Sequence, residues 1–122
     1  MIPTRIHGML DYLTAVILIV APFVLGFADG GAAQWVPIFI GAATIVANLL
    51  TRYELGIIKV LPMPVHLMLD VAMGVVLLAS PWLFGFADLI WWPHVLFGAI
   101  YVVVPMMSAR RPSFADASAA RP

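Results

Sequence analysis

The sequence predicts an all-α membrane protein in which four transmembrane helices form two tandem, parallel-related helical hairpins. Three observations predict it. The chain is 64% hydrophobic and only 10% charged over 122 residues, with a mean hydropathy of +1.08. So short a chain has too little interior to hide that much apolar surface from water. The chain is also internally duplicated. His7-Gly-Met-Leu-Asp11 opens a run ending Pro22-Phe-Val-Leu-Gly-Phe-Ala-Asp29, and His66-Leu-Met-Leu-Asp70 opens another ending Pro81-Trp-Leu-Phe-Gly-Phe-Ala-Asp88. Aligned without a gap, 11 of 23 positions are identical, and the matches include His, Asp, Pro and Gly, which apolar composition does not explain. Finally, all six basic residues fall in segments that a four-span topology puts on one side.

The spans follow in order. The first runs from about Ile6 to Leu25, the second from about Val36 to Leu50, the third from about Val65 to Phe84 and the fourth from about Pro93 to Met107. A crossing takes roughly 17–25 apolar residues, so the second and fourth are short unless flanking Trp, Tyr, Thr and Ser lie in the interfaces. Pro37, Pro64 and Pro93 suit the first turn of spans two, three and four, where a missing N–H costs little. Thr4 is a plausible N-cap for span one. Gly26 and Gly85 follow the last apolar turns and suit helix C-caps. The domain reading is a first repeat over 1–52, a connector over 53–64, a second repeat over 65–108 and a disordered cytoplasmic tail over 109–122. The connector is apolar with charges at intervals, which suits the cytoplasmic interface.

Arg5, Arg52, Lys59, Arg110, Arg111 and Arg121 lie in the N-terminus, the middle loop or the tail. The positive-inside rule then places both termini in the cytoplasm of a multi-pass inner (plasma) membrane protein. Trp35, Trp82, Trp91 and Trp92 cluster at the opposite face, where an aromatic belt belongs. Span one does not read as a cleaved signal, because its internal twin cannot be one.

Ala21-Pro22-Phe23 and Ser80-Pro81-Trp82, each followed by a Gly-Phe-Ala-Asp turn, resemble the SPW-repeat family of small bacterial integral membrane proteins. The second copy carries the Ser-Pro-Trp triplet intact, and the first departs from it conservatively. The resemblance covers roughly residues 6–107. It implies a two-helix repeat in the membrane and carries no catalytic role.

The repeated polar residues are the candidates for function. His7 and Asp11 are four apart, on one helix face, and His66 and Asp70 repeat that geometry. Repeats entering from the same side are related by an axis along the membrane normal, which puts both pairs at one depth. Two imidazoles and two carboxylates can bind a divalent metal or relay protons. Equally, they can clamp helices near the inner boundary. Pro22, Gly26, Asp29, Ser80, Pro81, Trp82, Gly85 and Asp88 read as structural parts of the repeat, with the two aspartates capping the turn or the next helix. Gly41-Ala42 and Gly98-Ala99 read as close helix contacts. His94, without a counterpart in the first unit, reads as an interface residue beside the aromatic belt.

No Cys is present, which excludes disulfides and thiol chemistry. No phosphate loop, zinc-protease motif or nucleophile elbow occurs, and zero net charge gives no sign of nucleic acid. No cofactor is expected, since the modest Gly and Ala content near His7 gives little support for a bis-histidine haem. The leading expectation is a non-enzymatic packing, assembly or accessory subunit, with the bilayer and either further copies or a larger membrane complex as partners. The alternative is a small transporter or proton/metal-binding protein using the His-x3-Asp pairs. An enzyme acting on a lipid or quinone ranks third.

Overall fold

Along each apolar run, small and polar residues recur every three or four positions, and these stripes turn inward. The computed structural model describes residues 1–109. Among the described residues there are four helices: α1 (Thr4–Val24), α2 (Ala32–Leu49), α3 (Met63–Leu83) and α4 (Trp92–Met106). The expected tail lies outside the described residues except for Ala109. In α1 the buried set includes His7, Gly8, Asp11, Ala15, Leu18 and Ala21, while Met9, Leu13, Val16 and Phe23 point outward. Polar inside and apolar outside suits lipid as solvent, where packing and interhelical hydrogen bonds must hold helices together.

Lengths agree with that reading. α1, α2 and α3 have 21, 18 and 21 residues and are long and apolar enough to cross a membrane. At 1.5 Å per residue they reach about 27–31 Å, against a hydrocarbon core of about 30 Å. α4 has 15 residues, about 22 Å.

α1 packs along α2 and α3 along α4, and the two hairpins meet through α2–α3 and α1–α4 contacts. α1 and α3 therefore face each other across a diagonal. Small residues bring the hairpin helices together. A Cβ on Gly41 would lie 2.7 Å from the Ala15 carbonyl oxygen, and one on Gly98 would lie 2.5 Å from the Leu78 backbone nitrogen. Midway along the bundle, Leu18 and Leu77, which occupy equivalent positions of the two repeats, pack with Ile40 and Tyr101. The Tyr101 and Thr44 hydroxyls share a hydrogen bond of 2.7 Å beside them.

Both first helices of the repeats end alike. Gly26 and Gly85 take φ values of +78° and +75°, which L side chains adopt only at a cost. The amides of Phe27 and Phe86 then reach back to the carbonyls of Pro22 (2.9 Å) and Pro81 (2.7 Å). This is the 6→1 bond of a Schellman cap, and it returns both phenylalanines to the core.

Two expectations about helix starts are corrected. Thr4 does not cap α1: Pro3 is the N-cap residue, and the Thr4 hydroxyl instead donates to the Glu54 carboxylate at 2.7 Å. Pro37 is not in a first turn, because α2 already begins at Ala32. Pro37 therefore leaves the Ala33 carbonyl without its helical donor. The His94 Nε2–H donates to that oxygen at 2.9 Å. At the other end the chain is tied off by short backbone contacts, with Ile2 N–H bonding Met107 O at 2.7 Å and Ala109 N–H bonding Ile2 O at 2.8 Å.

Candidate functional site

His7 sits in the first turn of α1 and Asp11 one turn further. His66 and Asp70 stand at the same places on α3. Asp11 and Asp70 are each seven residues past the first residue of their helix, about 10 Å along it. Across the diagonal the four side chains meet tip to tip. His7 Nε2 lies 2.8 Å from Asp70 Oδ2 and 3.2 Å from Asp11 Oδ2. His66 Nε2 lies 2.9 Å from Asp11 Oδ2 and 3.2 Å from Asp70 Oδ2. The imidazoles stand edge to face with centroids 5.4 Å apart. Both histidines are fully buried, Asp70 is 1% exposed and Asp11 is 8% exposed.

The other ring nitrogens are anchored by the opposite repeat. His7 Nδ1 meets the Ser108 hydroxyl at 2.7 Å, and His66 Nδ1 meets the Thr51 hydroxyl at 2.8 Å. Those hydroxyls spend their own protons on helix carbonyls one turn back, Ser108 on Val104 and Thr51 on Ala47. They are thus left to accept from Nδ1–H, a tautomer that the hydrogen-bond network assigns. Each Nε2 is thereby aimed at the carboxylates. Nε2 and a carboxylate oxygen cannot both accept, so a shared proton or a metal ion must lie between them.

The environment of the carboxylates is not symmetric. Asn48 Nδ2 donates to Asp11 Oδ2 at 3.1 Å and to the Thr44 carbonyl at 2.8 Å. The Tyr53 hydroxyl donates to Asn48 Oδ1 at 2.5 Å. Tyr53 lies in the connector, buried over Gly8, where a Cβ would collide with its ring. Burial pushes the Tyr53 hydroxyl above its usual range, so it remains a neutral donor. Asp70 has no such backing, and its Oδ1 is buried without a hydrogen-bond partner among the described residues.

Among the remaining motif residues, Ser80 and Asp29 make local hydrogen bonds. The Ser80 hydroxyl donates to the Leu77 carbonyl at 2.6 Å, the acceptor that Pro81, lacking an N–H, cannot serve. Pro22 and Pro81 are buried in the last turns of α1 and α3, whereas Trp82 is 61% exposed. Asp29 Oδ1 accepts from the Gly31 amide at 2.9 Å, closing its turn. Asp88 is exposed in the second turn.

His94 corrects an expectation. It is 1% exposed and lies between Phe27 and Phe86, with ring centroids 5.3 and 4.7 Å away. The hydrogen bond to Ala33 draws it inside, so it is a core residue. Sequence reasoning also missed Asn48, Tyr53, Thr51 and Ser108. Thr51 and Ser108 repeat at the 57-residue spacing of Gly41 and Gly98, which could have flagged them. Asn48, an amide inside an apolar span, could have been flagged on its own.

A family model described as the SPW repeat domain matches residues 5–108. No curated protein and no solved structure matches the chain.

Proposed function

The chain belongs to the SPW repeat family of membrane proteins, and from that premise we propose that it serves as a non-catalytic helical module, an accessory or assembly element acting through its lateral faces. One observation carries this reading. The repeated polar residues are turned inward onto one another, each histidine held by the other repeat, while large apolar side chains face outward. What such a bundle offers its surroundings is shape and apolar surface. Turns of seven and eight residues join the helices within each hairpin, which supports action within the bilayer plane. We further propose four passes through a bacterial inner membrane with both termini cytoplasmic, supported by the one-sided placement of the six basic residues.

Photo-crosslinking amino acids at Phe39 and Met68, exposed on different hairpins, test the assembly role in native membranes. The expected result is one discrete protein adduct, resolved by mass into a second copy or a distinct subunit. Lipid adducts alone would contradict it.

A further inference from the structure

Asp70 Oδ1 is the anomaly of the cluster. A buried carboxylate oxygen without a donor is costly and rare in folded proteins, and calls for a water, an ion or a functional cause. Asp11, in the equivalent position, is backed by Asn48. The second repeat has no amide in the corresponding place, because Pro105 stands there.

We propose that His7, Asp11, His66 and Asp70 bind one divalent first-row transition-metal ion of the zinc class, held between the two repeats. This goes beyond an assembly role: a bundle with no neighbour can hold the ion, and a bundle closed by hydrogen bonds alone can assemble.

Distances fit. One ligand atom from each residue lies within 4.8 Å of all the others. Zinc bonds of about 2.0–2.1 Å in a tetrahedron put ligand atoms about 3.3 Å apart. The observed imidazole–carboxylate distances of 2.8–3.2 Å need to widen by a few tenths of an ångström, and the wider pairs, up to 4.8 Å apart, need to close toward the same value.

Orientation fits as well. Ligating histidines commonly donate the other ring N–H to an oxygen that fixes ring and tautomer. Ser108 and Thr51 do this for His7 and His66. Asn48 steadies Asp11 in the same way, while Asp70 Oδ1 is left buried without a donor.

Charge and ligand type select the metal. Two carboxylates and a dication sum to zero, which suits a buried, water-poor place. Two imidazole nitrogens favour zinc, iron, nickel or copper. Calcium and magnesium take six or more oxygens, more than two carboxylates provide.

The test uses the full chain in detergent, stripped with a chelator and titrated with zinc chloride, with magnesium chloride as control. The expected result is saturable binding of one Zn2+ per chain and no saturable binding of Mg2+. Asp70→Asn should weaken zinc binding at least tenfold with helicity retained. Ser108→Ala, which removes only the anchor of His7, should weaken it about ten- to hundredfold and serves if Asp70→Asn does not fold. Zinc should raise the thermal midpoint of the wild type more than that of either variant. A folded wild type without saturable zinc binding overturns the proposal. Undiminished binding in the folded variants also overturns it, because the ion would then lie elsewhere.

Discussion

His7 lies closer to Asp70, 63 residues away at 2.8 Å, than to Asp11 one turn along its own helix at 3.2 Å. His66 does the same in reverse, 2.9 Å from Asp11 and 3.2 Å from Asp70. The duplicated motif is therefore completed by exchange: the histidine of each repeat is satisfied by the aspartate and the hydroxyl of the other. Neither hairpin alone contains the whole set, which gives a physical reason for the two copies to be fused.

Substitutions at Asp70 separate hydrogen bonding from mere filling of space. Asp70→Asn keeps an acceptor for the histidines and should cost about 1 kcal/mol, near the measured range for such bonds in membranes. Asp70→Leu leaves two buried imidazoles short of an acceptor and should cost about 3 kcal/mol. Thermal unfolding in one detergent checks the order, and equal losses would contradict it.

Tyr53 ties the connector to the cluster through Asn48. Tyr53→Phe keeps the ring over Gly8 but leaves the Asn48 Oδ1 acceptor buried, with an expected loss of about 1–3 kcal/mol. Gly8→Ala should displace the ring and cost a similar amount by overpacking. Combining the two should cost less than the sum, because both release the same contact. A double mutant whose loss equals the sum would sink the coupling.

Much of this was legible in the sequence, for identifiable reasons. His7, Asp11, His66 and Asp70 stood out because ionisable residues are rare in apolar helices, and the repeat implied a shared depth. Thr51 and Ser108 were hidden because the stretch from Asp88 to Gly98 is two residues shorter than that from Asp29 to Gly41, so second helices align at 57 residues and not 59. His94 was misread because Trp91 and Trp92 precede it, and only the carbonyl freed by Pro37 explains its burial. Asn48 lies on the buried stripe of α2 and was legible as an amide inside an apolar span, whereas Tyr53 joined the site through a tertiary contact that helical periodicity does not encode.

The Ser-Pro step has its own expected cost. Ser80→Ala should leave the Leu77 carbonyl unpaired and destabilise α3 by about 1 kcal/mol. Ala21→Ser, which imports the Ser-Pro step into the first repeat, should be neutral or stabilising. Unfolding midpoints of both variants check this, and a stable Ser80→Ala with a damaged Ala21→Ser would reverse the assignment.

Orientation is tested by labelling. Cysteine at Asp88 should react with an impermeant maleimide in intact cells, while cysteine at Ile58, exposed on the connector, should react only after the cells are opened. The opposite pattern would invert the topology.

The two repeats are joined through His7 and Asp70. A double-mutant cycle with His7→Gln and Asp70→Asn, read by reversible unfolding in detergent, tests this most directly. A coupling energy of about 1 kcal/mol or more is expected between these residues on different hairpins. Losses that add to within about 0.3–0.5 kcal/mol would mean that the two side chains do not hold the repeats together.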